Sequence, residues 1–166
     1  MAIAAILVNG LPGSGKSTLA VKLAVLLGCP VLSKDAIKEA LAELTGKTVP
    51  SRTVGGIAMD TIWALAGSIR DGVVIDSFWY ARRDGEFAKR GVAAAGATKV
   101  IELWCDVPMD VAQTRYEQRA RHDIHDAVFG DWPGAAPLCL WPVVRVDTTK
   151  AVDFDALLPQ LAEHLL

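Results

Sequence analysis

The sequence NGLPGSGKST at residues 9–18 decides the fold. It places Gly10 ahead of a Gly-Lys-Ser triplet at 15–17 with four residues between them, which is the spacing of a phosphate-binding loop. An apolar run at 3–8 precedes the loop and a helical pattern at 16–27 follows it, and this strand–loop–helix context is the one the motif requires. Glycines let backbone N–H groups turn toward phosphate oxygens, and the N-terminus of the helix adds a positive dipole end. We therefore predict a nucleotide-phosphate site.

Each position of the loop has a predicted role. Lys16 is expected to reach the β- and γ-phosphates, and the Ser17 hydroxyl to ligate Mg²⁺. Asp76 closes the apolar run VVID at 73–76, where a second carboxylate ligand of Mg²⁺ is expected; the alternative is a cap for the helix that follows. The residues predicted to bind the nucleotide phosphates are Gly10, Gly13, Ser14, Gly15, Lys16, Ser17 and Thr18.

Composition limits the class of protein. The 166 residues suit one domain (1–166), and 52% hydrophobic residues with a mean hydropathy of +0.31 indicate a packed core. A net charge of -2 makes non-specific nucleic-acid binding unlikely. No apolar run reaches the ~20 residues of a membrane span, and the apolar N-terminus lacks a basic region, so a cytoplasmic protein is expected. The sequence leaves the oligomeric state open. Three widely separated cysteines, predicted to be reduced core residues, agree with this location; they are Cys29, Cys105 and Cys139.

Short apolar runs alternate with helical patterns along the whole chain. This alternation predicts an α/β fold with a parallel sheet whose faces are covered by helices. Strands are predicted at 3–8, 30–33, 72–77, 99–105 and 142–147. Helices are predicted at 16–27, 34–44, 55–70, 84–95, 108–122 and 153–166. The Pro/Gly-rich segment 129–142 is predicted to be a surface loop.

The fate of the bound phosphate depends on residues outside the loop. A guanine-reading motif is not present, because Ile101 stands where Thr98-Lys99 would need an aspartate. Asp35 instead follows the second predicted strand, at the edge of the sheet where ligands bind. A carboxylate there can accept the proton of an attacking hydroxyl, and Lys38, one turn further on, can bind a negative group of the acceptor. The alternative makes Asp35 the N-cap of its helix and Lys38 a solvated charge.

Two further segments have candidate roles. Arg115 and Arg119 lie four apart in a predicted helix that loses its apolar face, so 115–135 is predicted to be a lid whose arginines neutralise the transferring phosphate or stack on the base. The alternative is a solvated helix.

Aromatic residues at 78–80 with Arg82 and Arg83 either wall an acceptor pocket or pack in the core. Trp79 and Arg82 are the residues we select as substrate contacts. His122 and His125, with neighbouring aspartates, give only a weak zinc pattern.

The chain resembles the P-loop kinases that include chloramphenicol phosphotransferase-like, zeta-toxin-like and polynucleotide-kinase-like proteins. The resemblance lies in GLPGSGKST (10–18), Asp35 with a basic residue three positions later, VVIDSFW (73–79), RYEQRAR (115–121) and VDTT (146–149). It implies the three-layer P-loop NTPase fold with strand order 2-3-1-4-5. It also implies a general base at Asp35, lid arginines, and an adenine site bordered by Thr148 and Thr149. Lys38 departs from the arginine usual in polynucleotide kinases.

These observations together predict an ATP- and Mg²⁺-dependent phosphotransferase acting on a hydroxyl of a small molecule, such as a metabolite, nucleoside or antibiotic. The predicted catalytic residues are Lys16, Asp35 and Arg119; Arg115 is assigned to the nucleotide. A polynucleotide 5′-hydroxyl kinase is the alternative enzyme. A nucleotide-dependent switch or binding protein without acceptor chemistry is the alternative of another class.

Overall fold

A computed structural model describes residues 3–126 and 128–165 of the chain. Positions 1, 2, 127 and 166, which fall within the predicted domain, lid and last helix, lie outside the described residues. Five strands form one sheet in the order β2-β3-β1-β4-β5 with every pairing parallel, which confirms the predicted order. The strands are β1 (Ile3–Asn9), β2 (Val31–Ser33), β3 (Val73–Asp76), β4 (Ala97–Asp106) and β5 (Val143–Asp147).

Within the described residues, six helices alternate with these strands, and α2 and α3 follow one another without a strand between them. They are α1 (Lys16–Leu27), α2 (Lys34–Leu44), α3 (Ser51–Ser68), α4 (Ala81–Ala94), α5 (Met109–Gln118) and α6 (Phe154–Leu165). Helix α3 begins before the predicted residue 55, because Pro50 with its fixed φ leads directly into the first turn.

Helix α5 ends at Gln118 rather than at 122, so the predicted helix 108–122 is too long. Arg119 at its C-cap is extended, with φ -90° and ψ 132°. The chain then turns back, and the Arg121 guanidinium donates to the Tyr116 carbonyl and lies 4.0 Å from the Tyr116 ring centroid. Arg115 and Arg119 therefore do not share a helical face.

Each face of the sheet has its own apolar core. On one face, α1 and α6 pack Leu19, Leu23 and Leu161 against the strands. On the other face, α3 and α4 pack Trp63, Val92 and their neighbours. Because both faces are covered, the apolar strands are buried, and ligand-binding loops are expected at their carboxyl ends.

The cysteines are less uniform than predicted. Cys105 is buried and Cys29 half-buried, but Cys139 is exposed in the loop after α5 and has a positive φ of 54°, so its assignment to the core is wrong. Burial raises the pKa of the Cys105 thiol to about 12. None of the described helices combines the length and the apolarity that crossing a membrane requires.

Candidate active site

The phosphate-binding loop is held between β1, α1 and α5 by close backbone packing. Gly13 has φ +82°, and a Cβ there would lie 2.1 Å from the Ala112 carbonyl oxygen of α5. Gly10 has φ +150°, and a Cβ there would lie 2.6 Å from Ser14 Oγ. Only glycine fits these two positions, which is the physical reason for their place in the motif.

The Lys16 ammonium lies under the loop and donates to the Leu11 carbonyl oxygen at 2.9 Å. Burial lowers the pKa of Lys16, while the negative charges of Asp76 and Asp35 raise it and the positive charge of Arg119 lowers it. A buried ammonium with a lowered pKa gains stability when an anion approaches, so the loop is set to receive phosphate.

Ser17 and Asp76 form the oxygen pair that the sequence predicts for a metal. Ser17 Oγ donates to Asp76 Oδ2 at 2.7 Å, across the end of β3. Burial raises the pKa of Asp76, whereas the Lys16 charge and the Ser17 hydrogen bond lower it. A hydroxyl and a carboxylate beside a phosphate site are hard oxygen donors of the kind Mg²⁺ takes, so these residues fit the predicted ion.

A cleft of about 300 Å³ opens beside the first turn of α1. Arg115 crosses one side of it, donating to the Thr148 carbonyl oxygen at 2.9 Å and to that of Thr149 at 3.3 Å. Thr148 Oγ1 donates to the Ser14 carbonyl oxygen at 2.6 Å and so ties the segment after β5 to the phosphate loop. The lining includes Gly15, Thr18, Lys22, Arg115, Thr148 and Phe154.

Thr149 differs from its neighbour. Its hydroxyl donates to Asp147 Oδ1 at 2.5 Å, and the cleft is lined by Thr148 and not by Thr149. The cleft has the place expected for the nucleotide base, and only one of the two predicted threonines borders it.

Asp35 lies in the first turn of α2 but does not cap the helix. The N-cap is Ser33, whose side chain accepts from the Ala36 amide at 3.4 Å. Asp35 is exposed, and its charge acts on both Lys16 and Asp76. The capping alternative is therefore wrong, and the carboxylate is within electrostatic reach of the phosphate-loop lysine.

Lys38 stands one turn further along α2, beside α3. Its Cε atom lies 3.9 Å from where a Cβ of Gly55 would be. Lys38 is half-buried and therefore not a fully solvated charge. Lys34, which belongs to no sequence motif, lies against the same Gly55.

Trp79 is not part of an open pocket, so its selection as a substrate residue is wrong. It is 3% exposed and packs against Trp63 with ring centroids 6.4 Å apart. Consecutive residues of an extended segment point to opposite sides, so Phe78 and Tyr80 are directed the other way. Their rings meet Trp132 at centroid distances of 4.9 and 5.6 Å.

These three rings form an aromatic wall, defined as Phe78, Tyr80 and Trp132. The Lys16 ammonium lies 5.9 Å from the Phe78 ring centroid, so the wall begins next to the phosphate loop. Tyr80 Oη donates to the Pro133 carbonyl oxygen at 2.8 Å and holds the loop 129–142 in place. Arg82 is exposed and lies against Gly134 of the same loop. Trp132 belongs to no recognised motif, and the only sequence feature that points to it is its place in the Pro/Gly-rich segment 129–142.

The segment after α5 rests on α2 through contacts between histidines and carboxylates. His122 Nε2 lies 2.7 Å from Glu43 Oε1, and His125 Nε2 lies 2.8 Å from Glu39 Oε1. Asp123 completes a group of three potential ligands with His122 and Glu43. The Lys47 ammonium, however, lies 2.7 Å from Asp123 Oδ2 and 3.4 Å from Glu43 Oε1. The Lys47 ammonium thus already balances the charge of these carboxylates. That residues 115–135 act as a lid stays a prediction.

A buried polar network, absent from the sequence predictions, joins three loops of the site. Asn9 Oδ1 accepts from the Gly10 and Trp79 amides at 2.8 and 2.9 Å, and its Nδ2 donates to Glu102 Oε1 at 2.8 Å. Glu102, which is fully buried, also accepts from the amides of Leu138 (2.8 Å) and Cys139 (3.1 Å). Asn9 is the last residue of β1 and Glu102 lies within β4. A single polar residue in a strand does not indicate in the sequence which distant groups it will hydrogen-bond.

Replacing Glu102 should destabilise the whole domain. Glu102→Ala removes the acceptor of the buried Leu138 amide, of the partly buried Cys139 amide and of one Asn9 Nδ2 hydrogen, which is expected to lower the free energy of unfolding by about 3 kcal/mol. Urea denaturation measures this change. Glu86→Ala on α4, at an exposed carboxylate paired with Lys89, is the matched control and should leave the free energy of unfolding nearly unchanged. Equal effects of the two variants would show that the network contributes nothing beyond a surface carboxylate.

Comparisons with known proteins agree with this architecture. No curated protein matches the chain. Among solved structures, a candidate kinase from Chloroflexus aurantiacus J-10-fl is 28% identical, with a TM-score of 0.81 and all of both chains covered. The APS kinase CysC of Mycobacterium tuberculosis is 20% identical, with a TM-score of 0.66 over 98% of each chain. A gluconokinase from Sinorhizobium meliloti is 19% identical, with a TM-score of 0.54 over 98% of this chain and 87% of that one.

The last two similarities show the fold, which is the α/β fold of P-loop NTPases. A family model described as "AAA domain" matches residues 6–133, from β1 through the phosphate loop to the aromatic wall. That range covers most of the chain and includes every predicted phosphate, metal and acceptor residue. The chain belongs to the AAA_33 family of AAA domains.

Proposed function

We propose that the protein is an ATP-dependent kinase that transfers the γ-phosphoryl group to a hydroxyl of a small molecule. The proposal rests on the environment of the Asp35 carboxylate. Its carboxylate does not cap α2, is exposed at the start of the helix that directly follows β2, and acts electrostatically on Lys16 and Asp76. A binding protein without transfer chemistry has no acceptor to activate, whereas a transferase needs a group that orients and deprotonates the acceptor hydroxyl.

The chemistry is an in-line displacement. The acceptor oxygen bonds to the γ-phosphorus as the bond to the β,γ-bridging oxygen breaks, ADP leaves, and the hydroxyl proton passes to Asp35. Lys16 and the loop amides neutralise charge on the phosphoryl oxygens. Ser17 and Asp76 would hold the Mg²⁺ of the nucleotide, which supplies further neutralisation when bound. The aromatic wall borders the acceptor side and limits the access of water.

The neighbours support a kinase of small molecules. Proteins with this fold include an APS kinase and a gluconokinase, each named for a small acceptor. The similarity to the candidate kinase of Chloroflexus aurantiacus extends over the whole of both compared chains. We therefore place the protein with small-molecule P-loop kinases and propose Mg-ATP as its donor.

The two arginines of the predicted lid should differ in effect. Arg115 is fixed beside the base cleft by the Thr148 and Thr149 carbonyls, so Arg115→Ala should mainly weaken ATP binding, by about tenfold. Arg119 acts on Lys16 and we assign it to the γ-phosphate, so Arg119→Ala should mainly lower the transfer rate, by about 10²-fold. Steady-state kinetics with calorimetric ATP binding separates the two. Equal and small effects would mean that 115–135 is only a solvated segment.

One experiment tests the proposed function. ATP and GTP turnover is measured with and without a library of hydroxyl compounds that contains sugars, hydroxy acids, nucleosides, antibiotics and a 5′-hydroxyl oligonucleotide. We expect acceptor-dependent formation of ADP and of a phosphorylated small molecule. Phosphorylation of the oligonucleotide alone would favour the nucleic-acid kinase. Nucleotide binding with no transfer to any compound would favour a switch or binding protein.

A further inference from the structure

Two lysines on α2 form a cationic pair that the phosphate chemistry does not use. Lys34 and Lys38 are four residues apart on one helix and so point to the same side. Their Cε atoms each lie 3.9 Å from where a Cβ of Gly55 in α3 would be. The two Cε atoms are therefore separated by no more than about twice that distance. Because Gly55 has no side chain, both lysine side chains have room there.

Neither lysine has a bonding partner in the part of the chain that the structure describes, residues 3–126 and 128–165. The carboxylates near them are engaged elsewhere. Asp84 accepts from Arg83 at 2.7 Å and from the Tyr80 amide at 2.8 Å, and Glu39 pairs with His125. Asp35, the remaining acid, is the proposed general base. The pair therefore carries two positive charges that are not balanced by hydrogen-bonded protein groups.

Electrostatics support a missing anion. Burial lowers the pKa of Lys34, the charges of Asp84 and Asp35 raise it, and those of Lys38 and Arg83 lower it. A half-buried ammonium beside a second ammonium is costly unless an anion binds between them. Half-burial of both side chains distinguishes them from lysines such as Lys89, which is exposed and paired with Glu86.

The position of the pair relates it to the acceptor. Lys34 and Lys38 flank Asp35 along the first turns of α2. The charges of Asp84 and Arg83 at the start of α4 also act on the pKa of Lys34. The aromatic wall leads into that start of α4, since Tyr80 is its N-cap residue. The pair thus lies on the same first turns of α2 as the proposed general base, against α3 and within electrostatic reach of the start of α4.

We propose that Lys34 and Lys38 form an anion subsite, and that the acceptor carries a carboxylate, phosphate or sulfate group as well as the hydroxyl. This inference rests on the proposed function, because it assigns the substrate class of the same site. The subsite holds the anionic end of the acceptor while Asp35 takes the proton of its hydroxyl. Binding energy from the charged end thereby orients the reacting oxygen.

Transfer to matched acceptor pairs tests the subsite through kinetics. The pairs are gluconate with glucose, and glycerol 3-phosphate with glycerol, so that the two arms distinguish a carboxylate from a phosphate. We expect a higher kcat/KM for at least one anionic member than for its neutral partner. Lys34→Ala and Lys38→Ala should each lower that preference about tenfold, since each removes a charge-assisted hydrogen bond. Lys89→Ala is the control and should leave it unchanged. Transfer to neutral members at equal or greater efficiency, or a preference that survives both substitutions, would overturn the subsite while leaving the kinase in place.

Lysine footprinting tests the subsite even if none of these compounds is phosphorylated. With the phosphate loop saturated by a non-hydrolysable ATP analogue, the protein is acylated in the presence of gluconate, glycerol 3-phosphate, sulfate or glucose. Mass spectrometry should show saturable protection of Lys34 and Lys38 by an anion, none by glucose, and none at Lys89. Protection in a protein that fails to transfer phosphate would support the subsite and refute the proposed function. Acylation of both lysines unaffected by all three anions would refute the subsite.

Discussion

Lys16→Ala should reduce phosphate transfer by about 10³-fold or more while the domain stays folded. The ammonium is the cation that the phosphate-loop motif assigns to the β- and γ-phosphates, and loss of one such preorganised donor costs about 3–4 kcal/mol of transition-state stabilisation. The residue's buried position makes the loss larger than at a surface, because no water replaces the charge. Transfer of labelled γ-phosphate to the acceptor found in the library measures the rate.

Stability should respond in the opposite sense. Burial lowers the pKa of Lys16 below its unfolded value, so the charged form destabilises the fold at every pH below the lowered pKa, and this cost disappears as pH rises toward the unfolded value. Lys16→Ala removes the charge and loses one hydrogen bond to Leu11, so urea denaturation should show unfolding free energy close to that of the wild type or above it. Lys89→Ala serves as the matched control for activity. Near wild-type transfer by Lys16→Ala would refute the phosphate-loop assignment.

The site residues that the sequence could predict belong to motifs whose spacing is dictated by the ligand. Gly10, Gly13 and Lys16 must stand where they do because a phosphate has to meet backbone amides and one cation. Asp76 followed from its place at the end of a buried strand next to that loop. The strand order came from the resemblance, since alternation alone predicts a parallel sheet but does not determine which strands are neighbours.

The remaining features depend on tertiary contacts. Trp79 and Phe78 are adjacent aromatic residues, and the sequence does not tell which one faces the core; the hydrogen bonds of Asn9 with the Trp79 backbone determine it. The network of Asn9 and Glu102 joins residues that are 93 positions apart. Helix α5 ends at Gln118 because Arg121 turns back onto Tyr116, and local propensity carries no trace of that contact.

For Asp35, the sequence allows two interpretations, an N-cap of α2 or a general base. Both Ser33 and Asp35 are good N-cap residues, and either choice gives the same helix within two positions. The structure assigns the cap to Ser33, and Asp35 falls in the first turn with its side chain exposed. Its removal therefore has little structural consequence, which makes it well suited to a mutational test of catalysis.

Asp35→Asn should lower the transfer rate by about 10²-fold or more and leave nucleotide binding within a few fold of wild type. The amide keeps the shape of the carboxylate but cannot accept the proton of the attacking hydroxyl. Stability should fall by less than about 1 kcal/mol, the value of a carboxylate near a helix N-terminus, because Ser33 still caps α2. Single-turnover transfer and calorimetric ATP binding provide the two measurements.

Asp76→Asn distinguishes a base from a metal ligand. Asp76 is buried and bonded to Ser17, so its replacement should weaken Mg²⁺-dependent nucleotide binding together with the rate, and additional Mg²⁺ should restore part of the loss. Additional Mg²⁺ should not rescue Asp35→Asn, whose defect lies in proton transfer. Asp60→Asn, at an exposed position of α3, controls for the charge change alone. A silent Asp35→Asn combined with a rate defect in Asp76→Asn that Mg²⁺ does not restore would move the base from Asp35 to Asp76. The acceptor would then approach from the β3 side of the phosphate loop, and the anion subsite on α2 would have no reacting hydroxyl to orient.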